Sequence, residues 1–184
     1  VLLLAASAHG FAPSILVADG LAPSALMLLR SAGANVVERH YAQTELGAAL
    51  GEYDAVIIRS ATTLTSEIIE AGAGGRLRVI GRAGVGVDNV DVPVATQRGV
   101  LVVNSPEGNT IAAAEHALAM MLSLSRHVPQ AHAGMRDGRW DRKKYVGNEL
   151  YKKTLGVVGL GKIGSHVARV AQSMGMEVIA YDPF

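Results

Sequence analysis

From Ser14 onward, short runs rich in Val, Ile and Leu alternate with stretches in which apolar residues recur every three or four positions. The first kind of run suits a buried strand and the second an amphipathic helix. Ile15 to Ala18, Asn35 to Glu38, Asp54 to Ile58, Leu77 to Ile80 and Val100 to Val103 therefore read as strands. Between them, Pro23 suits the first turn of a helix running to Gly33. Thr44 is expected to cap a short helix that Gly51 ends. Thr65 is expected to cap the next, with Glu67 favoured by the helix dipole, and Val90 to Arg98 forms a fourth. Continuous apolar strands separated by helices predict a parallel sheet covered on both faces. Right-handed crossovers make it a doubly wound, flavodoxin-like α/β domain.

The pattern then changes. A helix is expected to start at Asn109 or Thr110 and run through Leu124, with Pro129 as its limit. It is apolar nearly all round, so it should be buried between two masses. Gly134 to Lys153 is polar, basic and poorly periodic, and a second α/β unit opens at Thr154. The expected organisation is a leader or disordered edge over residues 1–13, a complete domain over 14–108, and an incomplete one over 109–184. The opening Val1-Leu2-Leu3-Leu4-Ala5-Ala6-Ser7-Ala8 has no basic flank and is too short to span a bilayer. A secretory reading of it is therefore weaker than that of an edge.

Composition narrows the possible functions. Lys and Arg number 17 against 16 Asp and Glu, a balance of +1, which gives no electrostatic footprint for nucleic acid or a membrane surface. Cysteine is absent, which removes disulfides, thiolate nucleophiles and thiolate metal sites. No His/Asp/Glu cluster has metal-ligand spacing.

Two constellations carry chemistry. Leu155-Gly156-Val157-Val158 runs into Gly159-Leu160-Gly161-Lys162-Ile163-Gly164, a helix is expected from Ser165 to Met174, and a strand from Glu177 ends at Asp182. Glycines alone would mark any turn. The strand, glycine loop, helix, strand and acid in this order and spacing define a Rossmann dinucleotide site. Gly159 allows the tight turn, Gly161 lets backbone approach a pyrophosphate, and Gly164 permits close helix–strand packing. Asp182 would accept from ribose hydroxyls and repel a 2′-phosphate, which favours NAD over NADP.

The second constellation is Arg59, Arg82 and Asn104, each expected just past the carboxyl end of a successive strand. Ligands bind at that edge of an open parallel sheet. Guanidinium groups there suit an anionic substrate, because arginine pairs bidentately with carboxylate and phosphate. The competing reading, arginines that are solvated or paired with a carboxylate, has to explain three coincident strand ends. It must also explain Gly81, Gly84 and Gly86, which permit close approach to a ligand.

Arg59-Ser60-Ala61-Thr62, Gly81-Arg82-Ala83-Gly84-Val85-Gly86-Val87-Asp88-Asn89-Val90-Asp91 and Val103-Asn104-Ser105-Pro106-Glu107-Gly108-Asn109 closely resemble the D-isomer-specific 2-hydroxyacid dehydrogenases. So do Gly138-Arg139-Trp140-Asp141-Arg142-Lys143-Lys144 and Tyr181-Asp182-Pro183. The resemblance covers nearly everything after Ser14. It implies an N-terminal substrate domain followed by the beginning of an NAD-binding domain, and an oxidoreductase working by hydride transfer at C2 of a 2-hydroxy acid. It places Arg59, Ser60, Arg82 and Asn104 toward the substrate. Val85 falls beside the nicotinamide, where relatives often have Thr. Lys162, where many relatives have Arg, and Ile163 fall against the pyrophosphate. It also implies that Gly134 to Lys153 is a dimerisation arm, that the full-length protein is a homo-oligomer, and that its location is cytoplasmic.

The family's catalytic Arg, Glu and His come later than Phe184, so no catalytic residue is expected in this chain and the 184 residues alone are expected to be inactive. His9, His40, His116, His127, His132 and His166 read as structural or solvated. The favoured substrate is the phosphorylated acid 3-phospho-D-glycerate, with hydroxypyruvate, glyoxylate or D-lactate left open. A non-catalytic binding or dimerising fragment is the alternative of a different class.

Overall fold

The computed structural model describes residues 12–184, so most of the leader-or-edge segment, and His9 with it, lies outside the described residues. The chain divides after Gly108 into two compact units. In the first, β1 (Ser14–Val17), β2 (Asn35–Glu38), β3 (Ala55–Ile58), β4 (Val79–Arg82) and β5 (Leu101–Asn104) alternate with α1 (Pro23–Ser31), α2 (Gln43–Leu50), α3 (Ser66–Ala73) and α4 (Val92–Gln97). All strand pairs are parallel, in the order β2-β1-β3-β4-β5. This is the flavodoxin-like arrangement that the strand–helix alternation predicts.

The two faces of this sheet are unequal. On one, Leu16, Val56, Ile58 and Ile80 pack on Leu46 and Leu50 of α2, Ile68 and Ile69 of α3, and Ala95 of α4. Each large apolar side chain there contributes about 1.5–3 kcal/mol by leaving water. On the other, Ile15, Ala34 and Ala55 gather Leu29, Val36, Ile57 and Val79. Leu101 and Val103 of β5 remain 55% and 45% exposed. Both faces thus carry a core cluster, and the second is left open at its β5 end. Among the described residues of the unit, only α1 contributes a helix side chain to the second cluster.

Local chemistry shifts several boundaries. Thr44 does not cap α2: Ala42 is the N-cap and Thr44 lies inside the first turn. Thr65 is the N-cap of α3, but its hydroxyl bonds no backbone amide there. It bonds Glu67 instead, and that contact leads the hydrogen bonds holding Glu67 below the usual carboxylate range. α4 begins at Val92, because Asp91 accepts from the Val94 amide (3.1 Å) and stops the helix from starting earlier. β4 starts at Val79, two residues later than expected, and Leu77 before it is buried in the core.

The second unit contains α5 (Thr110–Ser125), α6 (Val128–Arg136), a 3₁₀ turn (Arg142–Tyr145), β6 (Thr154–Val158), α7 (Lys162–Ser173) and β7 (Glu177–Tyr181), with β6 and β7 parallel. Pro129 does not simply close a helix. It sits in the first turn of α6, where its missing N–H costs nothing, and Gly134 lies within that helix. The irregular stretch is therefore shorter than the polar pattern suggests. α5 packs on α7 through this unit's interior, yet only Ala114 and Leu118 of α5 are buried. Met120 and Leu124 are exposed, against the expectation of burial all round.

Candidate functional site

Strand register builds the first site. Ile58 pairs with Arg82, and Arg82 with Asn104, so the carboxyl ends of β3, β4 and β5 lie level. Arg59 follows β3 directly, while Arg82 and Asn104 are the last residues of their strands rather than the first beyond them. Arg59 and Ser60 are exposed and Arg82 is half-buried. The Arg82 guanidinium is held by neutral groups: Nε donates to Asn89 Oδ1 (3.3 Å) and Nη1 to the Ala83 carbonyl (3.3 Å). A methyl group on Gly84 would overlap that guanidinium, so glycine there keeps the space in which Arg82 lies.

Carboxylates are taken by other arginines. Arg30 pairs with Glu38, Arg76 with Asp54 and Arg98 with Glu70. Among the described residues, neither Arg59 nor Arg82 has such a partner. Asn104 uses its amide N–H on the Val85 carbonyl (2.6 Å), which fixes the loop carrying Gly84 and Gly86. Val85 itself is partly exposed.

Sequence reasoning missed the residues that shape this edge. Asp19, just beyond β1, receives the Arg59 amide (2.7 Å) and Thr62 amide (3.0 Å) on Oδ2 and the Thr62 hydroxyl (2.5 Å) on Oδ1. Burial pushes its pKa up, but the Thr62 hydroxyl, the two amides and the charge of His40 outweigh it, and the net shift is downward from 3.8. Asn89 Nδ2 donates to the carbonyls of Arg59 (2.7 Å) and Thr62 (2.6 Å). Gln43 donates to the Thr63 carbonyl (2.7 Å). Asp19 could have been found by the same strand-end rule that selects Arg59; Asn89 lies inside a string already singled out.

His40, two residues beyond β2, shares no hydrogen bond or ion pair with Asp19 among the described residues, and its charge is the smallest of the influences on that carboxyl. The three donors occupying Asp19 leave it unsuited to act as that histidine's acid/base partner. His166 Nδ1 meets the Arg169 guanidinium (2.9 Å). No group of three or more metal-ligating side chains occurs among the described residues, and none of their helices is long and apolar enough to cross a membrane.

The second site lies at the end of β6. Gly159 has φ +93°, a left-handed conformation open mainly to glycine. A Cβ on Gly161 would meet nothing within 4 Å, whereas one on Gly164 would collide with the Gly159 carbonyl oxygen. α7 begins at Lys162, earlier than the Ser165 start expected, so Lys162 and Ile163 form its first turn with Gly161 as N-cap. Amides of a first helical turn point outward without intrahelical acceptors, which suits an anion. Asp182, just past β7, accepts from the Leu160 amide on Oδ2 (2.5 Å) and from the Phe184 amide on Oδ1 (3.0 Å). The cradle thus has the open glycine face, the helix start and the carboxylate that a dinucleotide requires.

A level, arginine-bearing edge on a doubly wound sheet and a β–α–β unit turning on glycines together define a class: parallel-sheet α/β proteins with a Rossmann-like second unit. The chain belongs to the D-isomer specific 2-hydroxyacid dehydrogenase family, whose catalytic-domain model matches residues 15–180. It is 55% identical over 170 residues to D-3-phosphoglycerate dehydrogenase of Synechocystis sp. (strain ATCC 27184 / PCC 6803 / Kazusa), covering 92% of this chain and 30% of that protein. Among solved structures, a protein from Thermus thermophilus matches with a TM-score of 0.83 and 31% identity, over 93% of this chain and 58% of the other. An NAD+-bound 3-phosphoglycerate dehydrogenase of Entamoeba histolytica matches with a TM-score of 0.71 and 31% identity, over 94% and 55%. The chain spans about a third of the length of the curated relatives it matches.

Proposed function

We propose that the full-length protein is an NAD-dependent dehydrogenase that oxidises 3-phospho-D-glycerate to 3-phosphohydroxypyruvate, as in serine biosynthesis. Residues 14–108 bind the acid, and residues 109–184 begin the nucleotide-binding domain. The observation that carries this reading is the pair of arginines, Arg59 and Arg82, at adjacent strand ends with no carboxylate partner among the described residues. An acid bearing both a carboxylate and a phosphate offers each arginine an anion. Ser60 can add a hydroxyl donor, and Asn104, whose N–H is engaged, acts through the Val85 loop.

NAD fits the second unit. Bound there, it would supply the hydride acceptor. Gly159 turns the loop, Gly161 leaves room for its phosphates and Gly164 lets the helix pack close on the strand, so that the amides of Lys162 and Ile163 face the phosphates and Asp182 meets the ribose. Val85 remains a candidate contact by resemblance. The names of the curated relatives support the phosphorylated acid over hydroxypyruvate, glyoxylate and D-lactate. A cytoplasmic homo-oligomer is part of the same reading. The 184-residue chain alone is expected to show no turnover, because the resemblance puts the acid/base pair outside it.

The test is Arg82→Ala and Arg59→Ala in the full-length enzyme. Losing a charge-assisted hydrogen bond removes about 1.5–3 kcal/mol, roughly 10–100-fold in KM for the acid. An unchanged KM for 3-phospho-D-glycerate in both variants would remove the basis for the assignment.

A further inference from the structure

The Arg59–Thr62 loop is held on both sides by side chains from distant parts of the chain. Its amides at Arg59 and Thr62 are held by Asp19, and its carbonyls at the same two residues by the single amide group of Asn89. Both Asn89 N–H bonds are spent on the β3 loop, while its Oδ1 receives Arg82 Nε at the end of β4. One side chain therefore ties the backbone beneath Arg59 to the guanidinium of Arg82. The neutrality of Asn89 matters as much as its bonds. A neutral oxygen orients Arg82 without cancelling its charge, whereas a carboxylate in that position would occupy it as an ion pair.

We infer that Asn89 is a positioning residue that sets the geometry of both arginines for the anionic substrate, a conclusion that rests on the function proposed above. It does not touch the reacting atoms. Its removal would let the Arg59 loop lose two carbonyl anchors and would free Arg82 Nε to swing. A replacement carboxylate would do more harm than simple deletion, because it repels the two carbonyls and captures Arg82.

The experiment is steady-state kinetics on the full-length enzyme with Asn89→Ala and the near-isosteric Asn89→Asp, beside Arg82→Ala and Arg59→Ala. The KM for 3-phospho-D-glycerate should rise at least about 10-fold in Asn89→Asp and less in Asn89→Ala. The KM for NAD, which the other unit binds, should stay within about twofold in both, and kcat should fall less than the acid's KM rises. Should Asn89→Ala fail to fold, Asn89→Asp alone decides. The inference is overturned if the KM values for acid and NAD shift together, if neither shifts, or if Ala is as harmful as Asp. Should the arginine variants themselves leave the acid's KM unchanged, the functional reading falls and this inference with it. If they raise it while Asn89→Asp does not, only the inference falls.

Discussion

The loop after β3 and the loop after β6 do the same job, presenting polar groups at the carboxyl edge of a parallel sheet, and they are shaped by opposite means. The Arg59–Thr62 loop consists of ordinary residues whose amides and carbonyls are held by the side chains of Asp19 and Asn89, with Gln43 on the carbonyl of Thr63 just after it. The Gly159–Gly164 loop is shaped mainly by its own backbone: a left-handed Gly159, open space at Gly161, and a Gly164 with no room for a methyl group. From β7 and just beyond it, the Tyr181 carbonyl accepts from the Gly159 amide and the Asp182 carboxylate from the Leu160 amide. A glycine turn is an intrinsic geometry that fails when one residue changes. A side-chain-held loop distributes its shape over several hydrogen bonds and should degrade by steps.

Gly164→Ala tests this difference most severely. The added methyl group would meet a backbone oxygen, so the strand and helix must separate, at a cost of about 1–3 kcal/mol. In the full-length enzyme the NAD affinity should fall by roughly 10–100-fold, while binding of the acid by the first unit is retained. Calorimetric titration with each ligand reads both. NAD affinity unchanged within about twofold would mean that the glycine turn is as tolerant as its counterpart.

The same contrast explains what could be read from the residues alone. The glycine loop was legible because the required conformation selects the residue type: Gly159, Gly161, Gly164 and the acid at 182 carry their geometry in their identity. The sheet order and the edge bearing Arg59, Arg82 and Asn104 were legible because apolar runs of strand length have few ways to pair in parallel. The strand-end rule and the Gly81–Asp91 string point to the positions of Asp19 and Asn89 but not to their anchoring role, since the loop atoms they hold lie 27 to 43 residues away. The exposure of Leu101, Val103 and the outer face of α5 could not be read either. Periodicity reports that a face is apolar, not what covers it.

Asp182→Ala gives a narrower effect within the second loop. The carboxylate supports the Leu160 amide and, on the proposed function, meets the ribose, so NAD should weaken by roughly 10-fold. NADP, which the same charge repels, should change little. Kinetics with both nucleotides separate the two roles. Equal losses would mean that Asp182 serves the loop and does not read the ribose.

The smallest effect concerns Asp19, and it emerges as a dependence on pH. Burial alone would raise this carboxyl's pKa, but the Thr62 hydroxyl and the amides of Arg59 and Thr62 bring it below its ordinary 3.8. A folded-state pKa that is depressed means that the ionised form is favoured by folding. The corresponding stability is fully present above the unfolded value and is lost as pH falls through the folded one. The window is therefore acidic, from just above 3.8 downward, and neutral pH should show a flat response from this group. Asp19→Asn removes the titration, and its amide oxygen can replace only some of the acceptor positions. Denaturant unfolding of the full-length protein followed across that range should show a shallower acid-side slope in Asp19→Asn than in the parent. Stability at neutral pH should fall by about 1 kcal/mol. Identical slopes would mean that the side-chain hydrogen bonds leave the ionisation of Asp19 uncoupled from folding, and that the Arg59–Thr62 loop holds its shape, like the glycine turn, without that charge.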